Sequence, residues 1–211
     1  MLKGRVTMEE IRLPVPIQTM MIIAPTGTIF YPQVQWLKSR ALQSKINHDI
    51  LNSVYQMFMK AYQHNYMTKI TGEYEVKNNQ RGIISIIMTN IATGPTLSHP
   101  VENRTAFTTD IRTGKTYSLS ELFKPNTPYI KRLSAIVEQQ IDKRQLKTSQ
   151  DFTSIRSNQD FYIADKTLVL FFQRFEVAPD TSGFPIFPIS IYDITDILKE
   201  NGPLGKLLPD Y

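Results

Sequence analysis

The sequence predicts an α+β fold, in which antiparallel sheets built from hairpins pack with two long amphipathic helices. Short runs of β-branched and aromatic residues alternate with turn signals, which is typical of strands joined in hairpins. Two longer segments instead repeat apolar residues at intervals of three and four, the period of an α-helix. With 211 residues, 41% of them hydrophobic, the chain has enough apolar surface for two closely packed subdomains.

The first half of the chain is predicted to form a sheet covered by one helix. Apolar residues recur at helical spacing from Leu42, so we expect the helix to end near Asn65. The turn residues 25–27 separate the first two strands. The expected strands are residues 17–24, 28–31, 74–76 and 83–88, with a further one after Pro100.

The second half is predicted to contain shorter strands and the second long helix. Gly114 can take the positive φ that a hairpin turn needs, and Ser118 and Glu121 have the spacing of a capping box. Thr127 and Pro128 are expected to begin the long helix, as its N-cap and first helical residue. The remaining expected elements are strands at residues 161–163, 168–172 and 186–191, and a short helix at 192–199.

Two of those strands have predictable positions in their sheet. The run at 168–172 is apolar on successive residues, which is typical of a central strand. Pro185 and Pro188 indicate an edge position or a bulge for 186–191, because proline cannot donate a hydrogen bond to a neighbouring strand.

Gly94, Pro95 and Pro100 predict a loop near the middle of the chain. We therefore expect an N-terminal α+β subdomain at residues 1–98 and a C-terminal one at residues 99–211.

The composition excludes several kinds of chemistry. The absence of cysteine excludes disulfides, thiol nucleophiles and cysteine-based metal sites, although it does not decide the compartment. The three histidines share no paired spacing: His48 and His64 are sixteen residues apart on the predicted helix, or about 24 Å. The sequence therefore predicts no metal site and no cofactor.

The net charge of +5 lies wholly in the first half, where residues 1–105 carry 11 basic and 6 acidic side chains. The basic residues are scattered singly, which indicates a solvated surface rather than a patch that follows phosphates. No nucleic-acid partner is expected.

The first ten residues lack the features of a signal peptide, and the longest apolar stretch near the start, residues 20–24, is too short to cross a bilayer. We expect no membrane span in this chain. Taken alone, the sequence favours a cytoplasmic location, unless the chain is a domain of a longer protein.

Few side chains suggest catalysis. His99 lies in a loop where a general base is possible, but no nucleophile is visibly paired with it. Glu176 and Asp180 flank the exit of a hydrophobic strand, where a paired-carboxylate glycosidase would need them close across a cleft. Carboxylates beside a Pro/Gly turn more often cap or solvate it.

Several segments, taken in order, resemble one family. They are residues 29–33, 45–47, 74–78, 82–86, His99, 110–119, 121–124, 161–163, 168–173, 176–179 and Gly183. These segments are similar to the paired domains of the extracytoplasmic region of RsiV-type anti-sigma factors, which also precede the deacetylase domain of PdaC-type peptidoglycan deacetylases. The resemblance covers nearly the whole chain.

The resemblance implies two packed α+β subdomains with a sensing or binding role, and an extracytoplasmic location. In RsiV-type proteins the module is similar to a receptor that binds lysozyme and gates proteolysis of the anti-sigma factor. This chain has neither the sigma-binding segment with its membrane helix nor a deacetylase domain, so neither activity is carried over. The family often has an aromatic residue where this sequence has Asp180.

Three functions from different classes are therefore considered. The leading hypothesis is a non-enzymatic binding or sensing module for a cell-envelope component or a protein, using loops supported by the sheet. The alternative is a small hydrolase acting on peptidoglycan or a related polymer, with Glu176 and Asp180 or His99 as acid and base. The third is a structural component of a bacterial coat or envelope. The expected ligand-binding residues are His99, Glu176, Asp180, Thr181 and Phe184.

Overall fold

Two sheets and two long helices lie in four layers, in the order helix, sheet, sheet, helix. The structure is a computed structural model that describes residues 14–62, 69–95, 97–149, 151–179 and 183–208, with the side chains of residues 61 and 62 left out. The α+β class predicted from the sequence is confirmed.

The larger sheet has six strands in chain order, and they are β1 (Ile17–Ala24), β2 (Gly27–Val34), β3 (Lys69–Gln80), β4 (Ile83–Thr93), β5 (Val101–Asp110) and β6 (Lys115–Thr116). All neighbours are antiparallel except β2 and β3, which pair in parallel over three residues. The helix α1 (Arg40–Tyr62) makes this parallel pairing possible, because it carries the chain back to the same end of the sheet.

The smaller sheet has the order β7 (Phe161–Ala164), β8 (Thr167–Phe171) and β9 (Ile186–Ser190). The predicted central position of β8 and edge position of β9 are confirmed. The second long helix, α2 (Tyr129–Arg144), covers one face of this sheet. Short 3₁₀ turns lie at Leu119–Leu122, Ile191–Ile194 and Gly205–Leu207.

Alternation along the strands explains the layers. On β4, Ile86 and its neighbours two residues away face α1, whereas Ile87 faces the smaller sheet. On β8, Leu168 and Leu170 face α2, whereas Val169 faces the larger sheet. Both β4 and β8 are therefore buried on two faces, which is why each is apolar on successive residues.

The two-residue turn between β3 and β4 fixes a distant part of the chain. Arg81 and Gly82 both have positive φ, 50° and 77°, as a type I′ hairpin turn requires. The Arg81 Nη1 atom donates hydrogen bonds to the carbonyl oxygens of Lys206 and Leu208, at 3.2 and 2.7 Å. The turn thereby holds the C-terminal region against the larger sheet.

Two predictions about helical segments differ from the structure, and β2 and β3 are longer than predicted. Pro128, not Thr127, is the N-cap of α2, because the Thr127 hydroxyl donates instead to the Lys124 carbonyl at 2.8 Å. The helix expected at residues 192–199 is only the 3₁₀ turn Ile191–Ile194. The next residues pair with another segment instead: Leu198 forms a bridge with Phe123, and the Lys199 amide donates to the Leu122 carbonyl.

The proposed boundary between residues 98 and 99 lies between β4 and β5, two neighbouring strands of the larger sheet. Strands β1–β4 precede it and strands β5–β6 follow it, although all six pair side by side. The division therefore stays a prediction about the chain, and the sheet joins the two segments.

Candidate functional site

The segment after β8 is attached to the outer part of β5 by a glutamine side chain. The Gln173 amide accepts a hydrogen bond from the Arg104 N–H at 3.1 Å and donates one to the Arg104 carbonyl at 2.7 Å. β6 pairs only with Thr109 and Asp110, so no strand of the described residues lies beside this part of β5 on that side. Gln173 therefore occupies the backbone groups that a further strand would have used.

Glu176 holds the same segment in place through contacts with Gln173 and Arg156. One of its carboxylate oxygens accepts from the Gln173 N–H at 2.8 Å, and the other lies 3.1 Å from an Arg156 guanidinium nitrogen. The same nitrogen lies 3.5 Å from Asp160. Glu176 is thus a positioning residue for the segment, held by two groups of its own chain.

Asp160 is the second carboxylate beside this Arg156 nitrogen, and its side chain is 31% exposed, against 23% for Glu176. Burial raises the pKa of the Asp160 carboxyl, while the hydrogen bond from Gln173 and the charge of Arg156 oppose that rise. A carboxyl with a raised pKa beside a second carboxylate is the pattern that acid–base chemistry uses. The sequence analysis did not select Asp160, because it lies between a turn at residues 157 and 158 and the strand β7 and belongs to no recognised motif.

Phe175 is presented to solvent by this fixed segment. Its side chain is 54% exposed and its φ is +64°, a left-handed conformation that phenylalanine rarely adopts. Its ring centroid lies 6.2 Å from that of His99, which is also exposed. An exposed aromatic residue with a strained backbone, on a segment fixed by hydrogen bonds, is a candidate for ligand recognition.

Phe184 lies between two arginines on the same side of the fold. The Arg104 guanidinium carbon is 4.1 Å from the centre of the Phe184 ring, and that of Arg174 is 5.9 Å away. Arg174 also pairs with Glu102 on β5 at 3.6 Å. We call His99, Arg104, Arg174, Phe175 and Phe184 the aromatic–arginine cluster.

The predicted site residues have different places around this cluster. His99 and Phe184 belong to it directly, and Glu176 supports it from the next position along the chain. Asp180 and Thr181 lie outside the described residues. The sequence analysis missed Arg104, Arg174 and Phe175 as binding candidates, although Phe175 stands next to Glu176 and is the nearest signal in the sequence.

Two further properties bear on function. Among the described residues, no group of three or more His, Asp or Glu side chains is arranged to hold a metal ion. Within the same residues, no helix has both the length and the apolarity needed to cross a bilayer.

Comparison with known proteins finds similar sequences. Residues 120–192 match the family described as a protein of unknown function, DUF3298. The chain is 29% identical over 185 residues to the anti-sigma-V factor RsiV of Bacillus subtilis, a match that covers 79% of this chain and 63% of that protein. The chain therefore corresponds to less than two thirds of that relative's length.

Two crystal structures share the fold. A DUF3298 family member from Bacteroides fragilis superposes with a TM-score of 0.69 at 11% identity, covering 92% of this chain and 97% of that one. A DUF3298 family protein from Pseudomonas aeruginosa gives a TM-score of 0.67 at 13% identity, covering 94% and 98%. At these identities the likeness concerns the fold alone.

These matches show that residues 120–192 are similar to the DUF3298 family and that the chain is RsiV-like over most of its length. The resemblance seen in the sequence is confirmed.

Proposed function

We propose that this chain is a non-enzymatic binding or sensing module for an extracytoplasmic ligand, either a cell-envelope component or a protein. The similarity to an anti-sigma factor supports a sensing or binding role. The proposal rests on one observation: the Phe175 ring is exposed, and its backbone is left-handed, on a segment fixed by Gln173 and Glu176.

The aromatic–arginine cluster has the composition of a recognition surface. Aromatic residues and arginine are enriched among the residues that dominate binding energy in protein interfaces. The cluster offers two arginines and two phenylalanines beside a histidine, and we expect these side chains to contact the ligand. Its supporting hydrogen bonds hold it in place before a ligand arrives, which reduces the entropy lost on binding.

The first probe is lysozyme, because the family resemblance implies a lysozyme receptor, and the second is purified peptidoglycan. Both are tested against immobilised protein at high salt, so that attraction resting only on the net charge is removed. Phe175→Asn removes the ring and keeps a residue that tolerates the left-handed conformation. Phe30→Asn is the matched control, since Phe30 is 45% exposed on β2, a strand outside the cluster.

We expect Phe175→Asn to weaken binding by about tenfold or more, which is the effect of removing a central interface residue. Phe30→Asn should bind like the unaltered protein. Equal binding by all three proteins would remove the cluster from the proposal. If neither probe binds, a pull-down from soluble and envelope fractions with the same three proteins identifies the ligand, and retention of nothing by any of them would refute the binding function.

A second candidate function, a small hydrolase of peptidoglycan or a related polymer, is favoured by one observation. Asp160 and Glu176 contact the same Arg156 nitrogen, and Glu176 and Arg156 line a cavity of about 240 Å³. In that function Asp160 acts as the acid, because its pKa is raised. Turnover of peptidoglycan that disappears in Asp160→Asn and Glu176→Gln, with both variants folded, would favour the hydrolase over the binding module.

A further inference from the structure

A second cavity lies between the start of α1 and the turn that joins β3 to β4. Its volume is about 390 Å³, within the range of small-molecule sites. Trp36, Leu37 and Lys38 approach it from the segment before α1, Leu42 from α1 itself, and Arg81 and Arg112 from the opposite side. None of these residues belongs to the aromatic–arginine cluster, and the inference does not depend on the proposed function.

Trp36 lies at the rim of this cavity with its side chain exposed and its backbone in an unfavourable conformation. Its side chain is 84% exposed and its φ is +58°, so the residue contributes little burial and adopts a conformation that costs a non-glycine residue free energy. Hydrogen bonds on both sides fix the backbone there: the Gln35 amide donates to the Pro16 carbonyl at 2.8 Å, and the Leu37 amide to the Gln43 side chain at 3.0 Å. Strain that the surroundings impose on an exposed aromatic residue indicates a function for it.

The cavity combines an apolar wall with positive charge. Leu37 and Leu42 supply part of the wall, and the residues that line it include no Asp or Glu. Arg112 is engaged by its pairing with Asp110, and Arg81 uses one nitrogen on two backbone carbonyls. Lys38 is exposed and makes no hydrogen bond or ion pair with any residue in the described part of the chain, so its charge is available to a ligand.

We propose that this cavity binds a small ring compound that carries a carboxylate, with the ring against the Trp36 indole and the carboxylate at Lys38 and Arg81. The exposed indole offers a flat face for an aromatic or sugar ring. An ammonium and a guanidinium that line one cavity favour a carboxylate, because a guanidinium donates to both oxygens and the ammonium adds a point charge. The apolar wall excludes a fully hydrated inorganic anion as the preferred ligand.

The chain reports binding at this cavity directly, because Trp36 is its only tryptophan. Tryptophan emission is followed while four probes are added in two pairs: phenylacetate with phenylacetamide, and glucuronate with glucuronamide. Within each pair the molecules are nearly the same in shape and differ in charge. The first pair represents aromatic acids and the second acidic sugars, so the pair that responds identifies the source of the ligand.

We expect a saturable change in emission with at least one of the two acids, and binding about tenfold weaker for its amide. Lys38→Gln should weaken the acid about as much as replacing it by the amide does. Lys131→Gln, an exposed lysine on α2 outside the cavity, should change nothing. Trp36→Asn, measured by calorimetry since it removes the fluorophore, should abolish binding without unfolding the protein.

Three results would overturn the proposal. One is equal binding of an acid and its amide, which would show that the charge is not recognised. Another is an acid that binds equally well to Lys38→Gln and to the unaltered protein. The last is an absence of any saturable change for all four probes up to about 10 mM, well above the affinities typical of small-molecule sites.

Discussion

Lys206 donates a hydrogen bond to Asp110 over 2.6 Å, although the two residues are 96 positions apart in the chain. Asp110 ends β5 and its side chain is fully buried, while Arg112 adds three further hydrogen bonds to the same carboxylate, one from its backbone N–H and two from its guanidinium. Burial alone would raise the pKa of Asp110, but the hydrogen bonds from Arg112 and Lys206 outweigh it and hold that pKa at about 2. The C-terminal region is therefore attached to the larger sheet through a buried charge.

Asp110→Asn should destabilise the protein, because the amide leaves two cations without their shared carboxylate. We expect the free energy of unfolding to fall by roughly 3 kcal/mol at neutral pH, the lower end for loss of one buried partner, since Arg112 and Lys206 are partly exposed. Urea denaturation measures this directly. Glu138→Gln, an exposed carboxylate on α2, is the control and should change stability by less than about 0.5 kcal/mol.

Low pH should reduce the stability of the protein, because it protonates the Asp110 carboxylate. A pKa lowered from 3.8 in the unfolded chain to about 2 in the folded one stabilises the protein above about pH 4, and this contribution is lost as the pH falls towards 2. The pKa of Asp160 is raised, so its protonation acts in the opposite direction. Urea denaturation from about pH 5 to pH 2 should show falling stability, and Asp110→Asn should reduce that fall. An unchanged pH dependence in the variant would contradict the assignment to Asp110.

Ser85→Ala tests the contact between the two sheets. The Ser85 hydroxyl lies fully buried on β4, 2.8 Å from the Thr108 hydroxyl, and accepts from the Ile163 amide of β7 at 2.9 Å. Removing it leaves a buried N–H without that acceptor, which costs about 1–3 kcal/mol of unfolding free energy. Ser44→Ala on the exposed face of α1 is the control, and a loss no larger than the control's would show that the two sheets do not depend on this bond.

Phe175→Asn should leave the fold as stable as before or increase the unfolding free energy by up to about 1 kcal/mol. Asparagine tolerates the positive φ that strains phenylalanine, and little buried area is lost because the ring is mostly exposed. Thermal unfolding measures the change, with Phe30→Asn expected to lose stability because it weakens a strand. A loss above about 1 kcal/mol in Phe175→Asn would make the ring a packing group and would count against the recognition surface.

Local signals in the sequence predicted the elements that depend on local physics. Apolar periodicity located α1 and α2, and the capping box was found where the Glu121 carboxylate accepts from the Ser118 amide at 2.9 Å. Gly114 takes a φ of +67° in the predicted turn. These features need only a few neighbouring residues, so one sequence is enough to predict them.

Contacts between distant segments could not be predicted in this way. The parallel pairing of β2 with β3 depends on where α1 returns the chain, and the pairing of Gln173 with Arg104 joins residues 69 positions apart. Trp36 lies between a strand and a helix and shares no period with either. Its importance comes from its exposure and backbone conformation, which only the three-dimensional structure provides.

The position of β4 determines how the protein should exchange its amide hydrogens with solvent. Its side chains reach every hydrophobic cluster of the described fold: Ile83 packs with the α2 core, Ile84 and Ile86 with the α1 core, and Ile87 with the layer between the sheets. No layer can separate without exposing this strand, so its amides should exchange only when the whole molecule opens. The two segments of the chain then behave as one cooperative unit, and a ligand bound on either should slow exchange throughout β4.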